Sequence, residues 1–355
     1  MHLYTADLAN RMLESGHEVH LLTTRRAPLD AYSPGVTLHT PVDTRDRGFS
    51  LDAVRPRGLW KLLRTVTGLR PSVLHLTGPH IWNSILMTAA RRGGIPTIHT
   101  LHDLHPHAGA VYGRLLYLWN ARIREGVDHI LVHGQRYRRE LLSQGLDADR
   151  VTCTLLTHLF VNHATAQALK TSPPKLEYEP WALFLGRFEH YKGLDLLIDA
   201  ARRLEKQGLR VVVAGPGRFD GVSPEALPGN VEIRNHFVGE EEAVDLVRRC
   251  GLLVLPYVEA SQSALVAAAH FFHKPVIATT AGALPEYVSH GETGWLIPAG
   301  DVDALVEALG EGLCDPQRLA RMGDAGRAWY ERQRVLEGHA LEGMYAALGR
   351  FAPES

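Results

Sequence analysis

The sequence predicts an α/β protein made of two doubly wound, parallel-sheet domains, and three observations carry that prediction. Short apolar runs recur along the whole chain with helical patterns between them, which is the rhythm of βαβ units. At 355 residues the chain is longer than one ordinary core requires, and its 45% hydrophobic content is enough for two. A proline-rich, charged segment, Lys170 to Pro180 (KTSPPKLEYEP), separates two such series and reads as a linker.

The chain opens on a helical pattern over residues 2–15, with Leu8, Met12 and Leu13 on one face. No strand precedes it. A doubly wound domain normally begins on a central strand, whose neighbours otherwise keep unpaired ladder groups, so a missing N-terminal segment is the expectation. Strand-like runs follow at residues 19–23, 73–76, 97–101 and 130–132 before the linker, and at 182–185, 211–213, 252–255 and 276–278 after it. Near the end, Leu336, Ala340, Met344 and Leu348 recur every four residues and predict an apolar stripe on a final helix. Ligands of open parallel sheets bind beyond the carboxyl ends of the strands, so two facing sheets predict a ligand cleft between the domains.

A net charge of -1 and a pI near 7.1 give no global pull toward nucleic acid or anionic lipid. Cys153, Cys250 and Cys314 are odd in number and far apart, which argues against a disulfide framework or a zinc knuckle and suits a reducing cytoplasm. His270, His273 and Lys274 interrupt the longest apolar stretch, and the N-terminus has no basic region followed by an apolar core. Neither membrane spanning nor secretion is expected.

The most informative stretch is 252–298, where a buried strand ending at Pro256 leads through Glu259, Ser261, Gln262 and Ser263 into the helix-like run from Ala264 to Phe272. Backbone N–H groups at such a helix start suit an anion. A purely structural alternative is that Ser261 or Ser263 caps a core helix. The segment LFLGRFEHYKG at 183–193 puts Gly186 and Arg187 after another buried strand, with Lys192 and Gly193 opening the next helix. Two cations at a strand end can neutralise a diphosphate. The run VVVAGPG at 211–217 ends a strand in a glycine turn, but the third position of a G-x-G-x-x-G fingerprint is Asp220, so a nicotinamide or flavin enzyme is disfavoured.

In the first half, TLHDLHPH at 100–107 follows a strand. Its spacing matches no metal-site pattern, which favours His102 as a hydrogen-bonding group near a reacting centre. The alternative has Asp103 capping a turn and His102 bonded to backbone. Between Arg45 and Arg70 lie seven basic and two acidic residues, interleaved with Trp60, Leu62, Leu63 and Val66. Such a basic amphipathic segment suits anionic lipid or a phosphate-bearing acceptor.

Together, GHEV at 16–19, TLHD at 100–103, GRFEHYKG at 186–193, VAGPG at 213–217 and PVIATTAGALPEYVSHGETGWLIP at 275–298 resemble the family 4 glycosyltransferases in order and spacing. The resemblance covers nearly the whole chain. It implies the GT-B fold, two Rossmann-like domains facing across a cleft, and retaining transfer from a nucleotide-sugar donor without a metal or other cofactor. It implies that Gly186, Arg187 and Lys192 bind the donor diphosphate, with the segment Ser261, Gln262, Ser263 and Ala264 completing the cradle. By the same resemblance His102 approaches the donor sugar, Glu259 matches the first acid of an E-x7-E motif and orients the sugar, and Val238 lies against the base. The second acid of that motif falls at Ala267, and EASQSA at 259–264 is most similar to an exopolysaccharide-type subgroup lacking that acid. The family's first strand and glycine-rich loop have no counterpart here.

The resulting expectation is an acceptor-binding domain over 1–169, a linker over 170–180, a nucleotide-sugar domain over 181–334 and a helix over 335–355 packing back on the first domain. The expected function is hexosyl-type glycosyl transfer to a glycan or lipid-linked acceptor in polysaccharide or glycoconjugate biosynthesis. Its expected place is the cytoplasm, with peripheral contact at the inner membrane face through 45–70 and no nucleic-acid partner. Competing readings are a noncatalytic GT-B-like protein that binds nucleotide or supports a partner, and a sugar-nucleotide epimerase.

Overall fold

The computed structural model describes residues 2–42, 55–80, 82–105, 121–173, 175–218 and 227–349. The chain forms two compact units, Met1–Thr154 with Val161–Ala168 and Leu336–Ser355, and Leu155–Phe160 with Leu169–Val335. Residues 43–54, 106–107 and Asp220, all of which enter the sequence expectations, lie outside the described residues.

In the first unit, helix α1 (His2–Glu14) leads into β1 (His20–Thr24), which pairs in parallel with β2 (Thr37–Val42). Helix α2 (Pro56–Leu69), β3 (Leu74–Leu76), α3 (Asn83–Arg92), β4 (Thr97–Leu101), β5 (His129–Val132), α4 (Gln135–Ser143), β6 (Val151–Cys153) and α5 (His163–Thr171) follow. Four of these strands form a parallel sheet in the order β3-β4-β5-β6, separate from the two-stranded β1-β2 sheet. Among the described residues β1 is laddered to β2 alone and β3 to β4 alone. Burial follows: β4 and β5 are buried at every position, whereas β1 and β3 are mostly half-buried. Helix α1 ties the two sheets. Its Ala6 and Ala9 pack with Leu21 and Leu38, while Thr5 Oγ1 donates to Thr77 Oγ1 at 2.9 Å and the Tyr4 hydroxyl lies 3.1 Å from Thr100 Oγ1.

The second unit holds β7 (Trp181–Leu185), α6 (Leu194–Leu204), β8 (Arg210–Ala214), β9 (Val231–Arg234), α7 (Glu240–Arg249), β10 (Leu252–Leu255), α8 (Ala264–Phe271), β11 (Val276–Thr279), β12 (Gly294–Ile297) and α9 (Val302–Cys314). Its six strands form one all-parallel sheet, β12-β11-β10-β7-β8-β9. Strands β10 and β11 are buried throughout, as near-continuous Leu/Val/Ile runs covered on both faces should be. Four strands outside the expected runs, β2, β6, β9 and β12, all lie at sheet edges. Most other strands start or end a residue beyond the expected limits, as with His20–Thr24 against 19–23.

The residues expected to link the domains are fixed to the second unit. Glu177 and Glu179 donate their amides to the carbonyls of Arg248 and Arg249 at 3.0 and 2.9 Å. Lys274, buried and held over the Tyr178 ring at 3.9 Å, donates to the Glu177 carbonyl. Burial brings its pKa down to about 8.

The final helix, α10 (Pro316–Gly349), corrects the expected stripe. Met344 is buried as expected and Ala340 and Leu348 are half-buried, but Leu336 is 57% exposed, and Glu337 and Leu341 are buried in its place. A strict four-residue repeat drifts by about 40° per step around a helix of 3.6 residues per turn, so it cannot stay on one face. In the first unit this helix end meets α1 through a buried ion pair, Arg11 Nη2 to Glu337 Oε2 at 2.9 Å.

Candidate functional site

The strand order of the second unit reverses at β7. From there the chain steps outward through β8 and β9, then returns to lay β10 on the other flank of β7. Ligands of open parallel sheets settle beyond the strand ends at such a switch point. The loops leaving β7 and β10 carry Gly186, Arg187 and Lys192 on one side and Glu259, Ser261, Gln262 and Ser263 on the other.

Close backbone packing fixes these loops. Gly186 has φ 143°, and a Cβ there would stand 2.8 Å from Lys192 Nζ, so the ammonium curls back over the end of β7. Lys192 Nζ also sits 5.3 Å from the Tyr257 ring centroid and 6.0 Å from that of Tyr191, within cation–π range. The Tyr191 carbonyl accepts the amides of Val258 and Glu259 at 2.8 and 3.3 Å, which pins the exposed Glu259 to the turn that carries Lys192. Gly193 at φ 63° leaves no room for a side chain, since its Cβ would lie 2.1 Å from the Pro256 carbonyl oxygen. Burial, with Glu189 nearby, pushes the Tyr191 phenol up. Tyr191 and Tyr257 frame the ammonium, and a sequence reading that attends to cations alone passes over them; the Tyr-Lys pair inside the motif was the available signal.

Arg187 is 69% exposed and its Nη1 lies 3.1 Å from Glu189 Oε1. An exposed pair of this kind is worth little, so the guanidinium can exchange its partner for an anion at small cost.

Beyond β10, Ser261 is buried and its carbonyl accepts the Ala283 amide at 3.1 Å. Ser263 takes the N-cap of α8 in an extended conformation, yet its side chain makes no capping hydrogen bond. The structural alternative, a serine cap, therefore does not hold at Ser263. In the first turn the Val266 amide donates to the Ser263 carbonyl at 3.3 Å, while the amides of Ala264 and Leu265 have no intrahelical acceptor, as at any helix start. Gln262 Oε1 is buried without a hydrogen-bond partner among the described residues, an arrangement that costs about 1–3 kcal/mol until a donor arrives. Ala267, where a second acid was expected, is wholly buried.

The glycine turn after β8 serves neighbouring backbone. Cβ atoms on Gly215 and Gly217 would fall 2.0 Å from the Gly186 carbonyl oxygen and 2.6 Å from Phe188 Cβ. Both glycines thus admit the 186–188 loop, which donates the Gly186 and Phe188 amides to Ala214 and Pro216 carbonyls at 2.9 and 3.0 Å. Val238 is half-buried and lies four residues beyond the end of β9 at Arg234, next to Phe237, which is 83% exposed. Asn235 locks that stretch to Gly217 through two hydrogen bonds, at 3.2 and 3.1 Å.

His102 belongs to the first unit, just after β4. Its Nε2 lies 3.0 Å from the Thr77 carbonyl, so Nε2 carries the proton and the neutral ring keeps Nδ1 as an acceptor. Burial lowers its pKa against the opposing Thr77 bond and Asp103 charge. The backbone pairing expected of a purely structural histidine is therefore present, and it also sets the tautomer. Among the described residues no group of three His, Cys, Asp or Glu side chains could hold a metal ion, and no helix is long and apolar enough to cross a membrane.

Two family models match the chain: residues 1–154 fit the glycosyl transferase 4-like domain, and residues 166–329 fit the glycosyl transferases group 1. A D-inositol 3-phosphate glycosyltransferase of Streptomyces scabiei is 28% identical over 378 residues, spanning 93% of this chain and 82% of the relative. Among solved structures, a sucrose-phosphate synthase from Thermosynechococcus elongatus superposes with a TM-score of 0.69 at 18% identity, covering 97% of this chain and 93% of that one. HepE of Anabaena, solved in complex with UDP and glucose, gives 0.68 at 14% identity, covering 93% and 99%.

Proposed function

The chain belongs to the family 4 glycosyltransferases of the GT-B fold, and from that premise we propose that it moves a sugar from a nucleoside-diphosphate donor to a glycan or lipid-linked acceptor. The observation that carries this reading is the Lys192 ammonium folded over Gly186 at the switch point, with Glu259 pinned to the same turn. Charge growing on a departing diphosphate would be met by Lys192, by Arg187 released from Glu189, and by the first-turn amides of α8, an arrangement already in place before reaction. The buried acceptor on Gln262 offers the donor a further contact.

In this reading the acceptor hydroxyl attacks from the face that the nucleotide leaves, so the anomeric configuration is retained and no protein nucleophile takes part. Glu259 orients the sugar. His102, neutral at pH 7 and with Nδ1 available, accepts a hydrogen bond from a sugar hydroxyl. Val238 borders the base. Side-chain cations and amides supply the charge neutralisation, so no metal is invoked. The exopolysaccharide-type subgroup fits EASQSA at 259–264, and the ribose contact then comes from a residue other than Ala267.

Calorimetry with UDP, GDP and ADP, followed by a nucleotide-sugar panel in a thermal-shift assay, tests the proposal, because a bound donor stabilises the fold by mass action. Failure of every nucleoside diphosphate to bind would sink it. Because the Streptomyces relative is named for D-inositol 3-phosphate, that cyclitol phosphate belongs in the acceptor panel beside glycan and lipid-linked acceptors. The second reading, a noncatalytic nucleotide-binding protein, draws on the wholly buried Ala267 and on the first unit's sheet lying in two pieces. Tight nucleotide binding with neither transfer nor donor hydrolysis would select it.

A further inference from the structure

Helix α2 carries a face that neither the fold nor the donor site uses. Leu62 and Val66 are buried, at 1% and 3% exposure, and anchor one side of the helix. On the other side Arg57, Trp60, Lys61 and Arg64 are exposed at the i, i+3, i+4 and i+7 spacing of a single helical stripe. Trp60 is 59% exposed, and Arg64 Cζ stands 5.2 Å from its ring centroid, so an indole and a guanidinium are presented together. Leu69, in the last turn, is 36% exposed. Two of the six exposed large apolar side chains among the described residues therefore lie on this one helix.

The charge around it is one-signed. Between Asp52 and Asp103 the sequence has seven basic residues, Arg55, Arg57, Lys61, Arg64, Arg70, Arg91 and Arg92, and not one carboxylate, in a chain whose net charge is -1. Arg91 and Arg92 end α3, which packs against α2. Among the described residues, Arg57, Lys61 and Arg64 have no carboxylate partner. An ordinary solvated helix mixes both signs; here the acidic half is missing and a large aromatic sits in the middle.

We infer that this face docks on an anionic bilayer, with α2 lying in the interface plane, Trp60 at headgroup depth, and Arg57, Lys61 and Arg64 meeting lipid phosphates. Exposed tryptophan flanked by cations on an amphipathic helix is the pattern that such an interface selects. Each basic residue near an anionic leaflet strengthens binding about 5-fold, so three of them together supply on the order of 100-fold. The inference does not depend on the donor site, and nucleotide binding measured on the same preparations keeps the two separable.

The test is co-sedimentation of the full chain with 100-nm vesicles of phosphatidylcholine alone and of phosphatidylcholine with about 30% phosphatidylglycerol, lipid fractions chosen to set the surface charge. The expected result is binding to the anionic vesicles only, reversed by about 0.5 M salt as screening demands. The triple variant R57Q/K61Q/R64Q should lose on the order of 100-fold in apparent affinity. Trp60→Ala should weaken binding about 10-fold while leaving its salt dependence intact. Because all four positions are exposed, each variant should keep the parental melting temperature and nucleotide affinity, which excludes misfolding as the cause. Equal binding to both vesicle types, undiminished binding by the triple variant, or tighter capture of a fluorescent oligonucleotide than of anionic vesicles by these same residues would each overturn the inference.

Discussion

The two units handle buried polarity and charge in opposite ways. The second spreads its charge over half-exposed ion pairs around one unbroken sheet, among them Arg210–Glu232, Arg234–Glu242, Arg248–Asp245 and Arg249–Glu179. The first buries an ion pair, Arg11–Glu337, and packs neutral imidazoles into and around a sheet laid down in two pieces. Burial drives His75 down to about 3, with His99 and His102 adding to the effect, and takes His80 and His99 to about 4. In the second unit His270 is shifted this way, to about 4. An unbroken sheet satisfies its backbone and covers its strands with aliphatic side chains. A divided one leaves half-buried strands and relies on α1 to join its parts, through side-chain bonds such as Tyr4–Thr100 at 3.1 Å.

The sharpest way to break the contrast is Glu337→Ala. It removes the 2.9 Å carboxylate partner of the buried Arg11 and should destabilise the first unit by about 3 kcal/mol in urea unfolding. A loss under about 1 kcal/mol would mean the pair is no more than a surface one.

Next come the two cations of the proposed donor site. Arg187→Ala and Lys192→Ala should each lower turnover by at least ~100-fold, the cost of losing one charge-stabilising donor, without touching the melting temperature. Near-wild-type rates in both would refute the diphosphate assignment.

Acid should then separate the units. Imidazoles whose folded pKa lies below the unfolded value of about 6.5 stabilise fully above 6.5, and that contribution is lost as pH falls toward about 4 and then 3. The slope is up to about 1.4 kcal/mol per pH unit for each imidazole. Hydrogen exchange, corrected for intrinsic rates, should show the first unit losing protection before the second between pH 7.5 and 5. Simultaneous loss would remove the distinction.

The smallest effect is expected at Glu232, where Arg210 and Arg234 hold the carboxyl below its usual range on a solvent-facing edge strand. Glu232→Gln should shift stability by about 0.5 kcal/mol or less at neutral pH. A larger loss would show that the second unit's ion pairs act as a network.

Much of this was legible in the residues, and what was not has a common cause. The buried strands stood out as continuous apolar runs, while β2, β6 and β9 did not, because these edge strands are covered less and keep polar or proline positions such as Thr152, Glu232, Arg234 and Pro41; β12 is largely buried and has no such positions. The cations Arg187 and Lys192 were readable from type and position at a strand end. The aromatic frame of Tyr191 and Tyr257 was not, since it depends on two loops 66 residues apart meeting at the β7–β10 switch point. Likewise Gly215 and Gly217 have the look of a ligand-facing glycine turn, and only the packing against 186–188 gives them their purpose.

The sequence by itself determined the family, the parallel α/β character and the identity of the chemical groups, because apolar runs and ordered motifs are local properties of a chain. The tertiary structure alone decided which of those groups meet. It folded Lys192 over Gly186, fixed the tautomer of His102 through Thr77, rotated Leu336 out of its expected stripe and divided the first sheet in two. The physical reason is that these outcomes rest on backbone contacts of a few ångströms between distant segments, and no local pattern encodes them.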